Sequence, residues 1–93
     1  ALELGLINQV VPGDQLRAEC AQLAQELAAG PQVSMRLLKR SVYQAAELSF
    51  EQACEDIAAR TAISDHHPDA KEGGESFREK RAPSFNEWLR QYE

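Results

Sequence analysis

One segment of this chain has the pattern of a β-strand, Leu6-Ile7-Asn8-Gln9-Val10-Val11, and no other stretch does. Gly5 precedes it and Pro12-Gly13 closes it, residues that punctuate regular structure. A lone strand has no ladder partner, and even two strands by themselves are marginal in water. The remainder of any sheet is therefore expected elsewhere, and the residues that follow must fold as helices. The chain has 93 residues, enough for one small domain at most. A domain of that size buries a modest share of its surface and is marginal without partners.

Helical periodicity accounts for nearly everything after Gly13. Ala1 to Leu4 read as the last turn of a helix stopped by Gly5, the usual residue just past a helix end. Asp14 is a good N-cap for a first full helix whose apolar stripe is Leu16, Cys20, Leu23, Ala24 and Leu27. Gly30 is expected to end it in the left-handed conformation, with Pro31 opening the next helix. That second helix runs to about Ala46, with Met35, Leu38, Val42 and Ala45 on one stripe and Arg36, Lys39 and Arg40 forming a basic patch. Ser49-Phe50-Glu51-Gln52 fits a capping box for a third helix, whose face is Phe50, Ala53, Cys54, Ile57, Ala58, Thr61 and Ala62.

His66-His67-Pro68 breaks the pattern, because the residue before proline avoids the α region. A fourth helix is expected over Pro68–Arg81, with Asp69 and Glu72 at its positive end and Lys80 and Arg81 at its negative end. Its Gly73-Gly74 pair costs about 2 kcal/mol of helix propensity against two alanines. Such a pair is expected where something approaches the backbone closely or the helix bends. Ser84 is placed to cap a short last helix that puts Phe85, Trp88, Leu89 and Tyr92 on one side. The fold class is mostly α, four to five helices preceded by one short strand.

Charge and residue types exclude several functions. Ten basic residues against fifteen acidic ones give a net charge of -5, which argues against a nucleic-acid-binding domain with its strongly basic face. No apolar run is long enough to span a bilayer. Cys20 and Cys54 fall on the apolar faces of separate helices and read as buried free thiols of a reducing, cytoplasmic compartment. No CxxC or Cys/His spacing suggests zinc. Adjacent His66 and His67 point apart and make poor joint ligands, and acids at a helix start, such as Asp69 and Glu72, are expected for dipole reasons. No metal site is assigned. Ser41, Ser76 and Ser84 lack His/Asp companions at a recognisable spacing, so no nucleophile or other catalytic residue is assigned.

Four stretches, taken in order, resemble the enoyl-CoA hydratase/isomerase (crotonase) superfamily. Residues 1–12, Ala-Leu-Glu-Leu-Gly-Leu-Ile-Asn-Gln-Val-Val-Pro, resemble the helix-Gly-strand-Pro passage that leaves the spiral core of those enzymes. Leu-Ala-Ala-Gly-Pro followed by Leu37-Leu38-Lys39-Arg40, then Ser49-Phe50-Glu51-Gln52-Ala53, resemble the helices that come next. The stretch from Asp69 to Phe85 resembles the superfamily's closing signature, a helix with an acidic-Gly start, an aromatic residue and a Lys-Arg end, then Pro and a second aromatic.

The resemblance implies a division of the chain and a role. Residues 1–12 would be the end of the spiral-core connection, and residues 13–93 the C-terminal helical, oligomerisation region of a crotonase-like α/β fold. The parent enzyme would act on acyl-CoA thioesters, hydrating a 2-enoyl-CoA to the 3-hydroxyacyl-CoA, with coenzyme A carried on the substrate and no tightly bound cofactor. Its oxyanion hole and carboxylates would lie in the spiral core, upstream of Ala1, and these residues alone are expected to be inactive. Homo-oligomerisation as a trimer or hexamer is implied, with no nucleic-acid or membrane partner.

By the same resemblance, Phe77 and Lys80 would approach the CoA nucleotide bound by a neighbouring subunit. Read from the residues alone, Phe77 is a core aromatic and Lys80 a solvated dipole partner. Two alternatives stay open. Other superfamily activities (isomerase, dienoyl-CoA isomerase, thioester hydrolase or ring-forming synthase) differ in core acids that this sequence lacks. A stand-alone helical self-association module would have no CoA chemistry.

Overall fold

A computed structural model describes residues 1–93 as four α-helices and a terminal 3-10 helix: α1 (Leu16–Ala29), α2 (Gln32–Ala45), α3 (Phe50–Asp65), α4 (Pro68–Glu79) and the 3-10 helix Glu87–Tyr92. The strand expected at Leu6–Val11 does not form. Nothing in the chain pairs with that segment, so its backbone has no ladder to join.

The expected helix stop before it is present. Gly5 adopts φ +71°, its N–H bonds to the Leu2 carbonyl at 3.0 Å, and the Leu6 N–H bonds to Ala1 at 3.0 Å. Those two bonds are the Schellman closure that glycine permits at positive φ.

Several helix ends depart from expectation. Asp14 does not cap α1, because a turn closed by the Gln15 N–H on the Pro12 carbonyl moves the cap position to Gln15. Gly30 has φ -71°, not a left-handed conformation. A Cβ there would lie 2.6 Å from the Met35 sulfur, so a larger residue would displace that flexible side chain. The capping box of α3 forms as expected, the Gln52 N–H bonding the Ser49 hydroxyl at 3.2 Å and the Ser49 N–H bonding the Gln52 side chain at 3.1 Å. Pro68 occupies the first turn of α4, and His67 caps it by accepting the Asp69 N–H at Nδ1. The last helix is 3-10 rather than α, and it starts after Asn86, which sits at φ 65°.

α2 packs along α3, and α3 meets α4; α1 has no comparable partner. The α2–α3 seam is joined by polar groups. Ser34 and Ser64 share a hydrogen bond at 2.7 Å, and the Ser41 hydroxyl donates to Asp56 at 3.0 Å. Arg60 grips the same carboxylate at 2.8 Å and reaches Gln44. Arg60, with Ser41 adding to it, holds the Asp56 carboxyl below its ordinary range against some desolvation.

The chain has no buried apolar side chain. Its three buried residues are Ser41, Asp69 and Ser76. Phe50, Leu38, Val42 and Ile57 are all exposed, although they form the apolar faces of α2 and α3. Cys20 and Cys54, expected to be buried, are free and exposed for the same reason: nothing in the chain covers their faces. The radius of gyration is 16.9 Å, where a compact globule of this length has about 12 Å. Helices whose apolar stripes stay uncovered gain little from the term that usually stabilises them.

Candidate functional site

The C-terminal end of α4 brings together the two residues singled out in the sequence. Lys80 terminates the helix in the left-handed conformation, φ 54° and ψ 39°. Its N–H bonds to the Phe77 carbonyl at 3.3 Å, and the Arg81 N–H bonds to Ser76 at 3.1 Å. This is again a Schellman closure, but with lysine where glycine is usual. Phe77 is 85% exposed and is not a core residue. The Lys80 ammonium makes no ion pair. An exposed aromatic ring on the last turn of α4 is thus followed, three residues on and just past the helix end, by a cation with no ion pair.

Arg81, adjacent in sequence, is occupied otherwise. Its guanidinium binds Glu72 through both terminal nitrogens and binds Glu79 through Nε at 2.6 Å. Those two carboxylates, Glu72 foremost, raise its pKa still further above its ordinary range. Glu72 also accepts the Ser84 N–H at 2.7 Å. Arg81, then the Ser84 N–H, hold the Glu72 carboxyl at about 2, well below its ordinary 4.5. Glu72 is therefore the residue that fixes the turn after Lys80, rather than only an acid placed for the helix dipole.

Asp69 performs the matching task for the last segment. Its carboxylate accepts the Asn86 N–H at 2.8 Å and the Trp88 indole N–H at 3.3 Å. Trp88 in turn meets the His67 ring edge-on, with centroids 5.2 Å apart. Asn86 then reaches across to the α1–α2 junction, donating to the Gly30 carbonyl at 2.9 Å and accepting the Gln32 N–H at 3.1 Å. Phe85 lies over Gly73, where a Cβ would sit 3.6 Å from its ring, so one of the two helix glycines faces a close neighbour. Periodicity alone does not register these long-range roles of Asp69, Glu72 and Asn86.

The remaining candidate groups are dispersed. His66 pairs with the Ala62 carbonyl through Nδ1, while His67 uses Nδ1 for the cap. No group of three His, Cys, Asp or Glu side chains is assembled for a metal ion. The half-buried or buried carboxylates Asp56, Asp69 and Glu72 are each engaged by a cation or by N–H donors. None is poised as a free acid or base. A groove of about 530 Å³ opens between α2 and α3, floored by Met35, Leu38, Val42 and Ile57. No helix is long and apolar enough to cross a membrane.

Comparison with known proteins gives a consistent picture. The profile of the enoyl-CoA hydratase/isomerase family matches residues 1–88. The enoyl-CoA hydratase EchA19 of Mycobacterium tuberculosis is 34% identical over 88 residues, covering 91% of this chain and 32% of that protein. The carnitinyl-CoA dehydratase of Salmonella typhi is 33% identical over 89 residues, covering 89% of this chain and 33% of that protein. Among solved structures, an enoyl-CoA hydratase of Geobacillus kaustophilus superposes with a TM-score of 0.82 at 32% identity, over 92% of this chain and 34% of that one. The enoyl-CoA hydratase of Bacillus anthracis gives 0.83 at 26% identity, over 91% and 33%. The chain spans about a third of the length of the relatives it matches.

Proposed function

We infer the function from one premise: this chain belongs to the enoyl-CoA hydratase/isomerase family. Its fold is the helical C-terminal region of the crotonase fold. On that basis, residues 13–93 act as the helical cap of an enzyme on acyl-CoA thioesters, and residues 1–12 lead into it from the catalytic core. The parent reaction is hydration of a 2-enoyl-CoA to the 3-hydroxyacyl-CoA. The groups that polarise the thioester and activate water lie outside residues 1–93, which is consistent with Asp56, Asp69 and Glu72 being engaged already.

The cap has two tasks. It associates subunits through the uncovered apolar faces of its helices, and it supplies one edge of the CoA site. Phe77 offers a flat surface to the adenine, and Lys80 offers a point charge to a phosphate. The observation that carries this reading is an exposed Phe77 ring and, three residues on, a Lys80 ammonium with no ion pair, at a helix end that Glu72 and Arg81 brace.

Turnover tests the reading. The intact protein containing these residues is expected to consume the conjugated double bond of a 2-enoyl-CoA and yield the 3-hydroxy thioester, and residues 1–93 alone are expected to do neither. Turnover by residues 1–93 alone would overturn it. An intact protein that self-associates and leaves every acyl-CoA untouched would support the stand-alone helical module instead.

A further inference from the structure

Six of the chain's ten basic residues make no ion pair, although acids outnumber bases fifteen to ten. Three of those six stand within five residues of one another on α2: Arg36, Lys39 and Arg40. Positions three and four apart are neighbours on a helix, and like charges there cost a few tenths of a kcal/mol each. Carboxylates are plentiful in the chain, yet none comes within ion-pair reach of this turn. One turn further on, Tyr43 is 70% exposed, and the Lys39 ammonium lies 5.7 Å from its ring centroid. With Val33 and Leu37 as an apolar floor, these side chains line an open concavity of about 550 Å³.

We propose that this face of α2 binds a nucleoside polyphosphate. Arginine presents a planar fork that takes two phosphate oxygens at once, and Arg36 and Arg40 present two such forks one turn apart. Lys39 covers one face of Tyr43, and the other face is open to a base, a contact that tolerates any base because each has a π-face. The net charge of -5 disfavours a nucleic-acid strand, and a basic patch confined to three turns of one helix suits a single small ligand. The site uses none of the residues of the Phe77–Lys80 edge and does not depend on the CoA reading.

The test is photoaffinity labelling of the intact protein with 8-azido-ADP, mapped by peptide mass spectrometry. Label is expected on the tryptic peptide Ser41–Arg60, which contains Tyr43. The Arg36→Gln/Arg40→Gln double variant should need at least about ten times more probe for the same labelling, the loss expected when charge-assisted phosphate contacts go. Arg17→Gln, which removes an unpaired cation on α1, should label normally. Circular dichroism checks that the double variant keeps its helices, and Tyr43→Leu supplies an independent arm, retaining pyrophosphate binding while losing label. Protection by ADP but not by CoA identifies a free nucleotide as the ligand, and equal protection by both identifies the CoA nucleotide. An unlabelled Ser41–Arg60 peptide, or labelling unchanged in the double variant, overturns the proposal.

Discussion

The buried Asp69 carboxylate accepts the backbone N–H of Asn86 at 2.8 Å, seventeen residues along the chain. Trp88 adds its indole N–H to the same carboxylate, and Asn86 passes the connection on to Gly30 and Gln32. One acid thereby ties the last segment to α4 and to the α1–α2 junction. In a chain without a buried apolar residue, such polar clasps carry an unusual share of the tertiary structure.

Asp69→Ala should therefore be costly. It removes two hydrogen bonds to a charged acceptor and leaves their donors unpaired, a loss of about 3 kcal/mol. Urea unfolding followed by fluorescence of Trp88, the single tryptophan of these residues, measures it. Asp69→Asn, which keeps one acceptor oxygen, should lose less. Equal stability of Asp69→Ala and the parent would mean that the clasp holds nothing.

Glu72 supplies a pH dependence whose sign follows from its cause. Arg81 and the Ser84 N–H favour the ionised form in the fold, so the carboxyl is held at about 2 rather than 4.5. The contribution is complete above the ordinary value and is lost as pH falls from about 4.5 toward 2. The Ser84 amide shift should titrate with a midpoint near 2 and return toward 4.5 in Arg81→Ala. A midpoint of 4.5 in the parent would show the clamp to be open in solution.

Lys80 sits where glycine is usual, and its left-handed backbone costs about 1 kcal/mol. Lys80→Gly should stabilise the end of α4 by roughly that amount, whereas Lys80→Ala keeps the strain and should not. Both variants lose the ammonium, so the pair separates backbone conformation from charge. Thermal unfolding of the two reads the difference, and a Lys80→Gly no more stable than Lys80→Ala would refute the strain.

Residues 1–93 in isolation should self-associate, because Leu38, Val42, Phe50 and Ile57 form apolar faces that nothing covers. Large exposed apolar patches find partners. Light scattering at micromolar concentration should report a dimer or larger species, and a monomer would contradict this.

Local chemistry in the sequence marked the local features of the fold. The Gly5 stop, the Ser49–Gln52 capping box and Pro68 at the start of α4 each depend on a few adjacent residues, and each forms. Features that depend on distant partners were not legible. Leu6–Val11 has strand composition but no strand to pair with. Cys20 and Cys54 lie on apolar stripes that remain bare. The joint roles of Asp69, Glu72 and Asn86 join residues 9 to 56 positions apart, which no helical period encodes. The left-handed cap at Lys80 was hidden because lysine near a helix C-terminus is already explained by the dipole.

The CoA edge is tested most directly by the KM of the intact protein for an acyl-CoA after Phe77→Ala and, separately, Lys80→Ala. Phe77 is exposed, so its loss should leave stability within about 0.5 kcal/mol. If Phe77 stacks on the adenine, KM should rise between about fivefold and about a hundredfold, the range for an aromatic–base contact, with kcat little changed. Lys80→Ala should raise KM in the same direction. Values of KM indistinguishable from the parent in both variants would contradict the assignment.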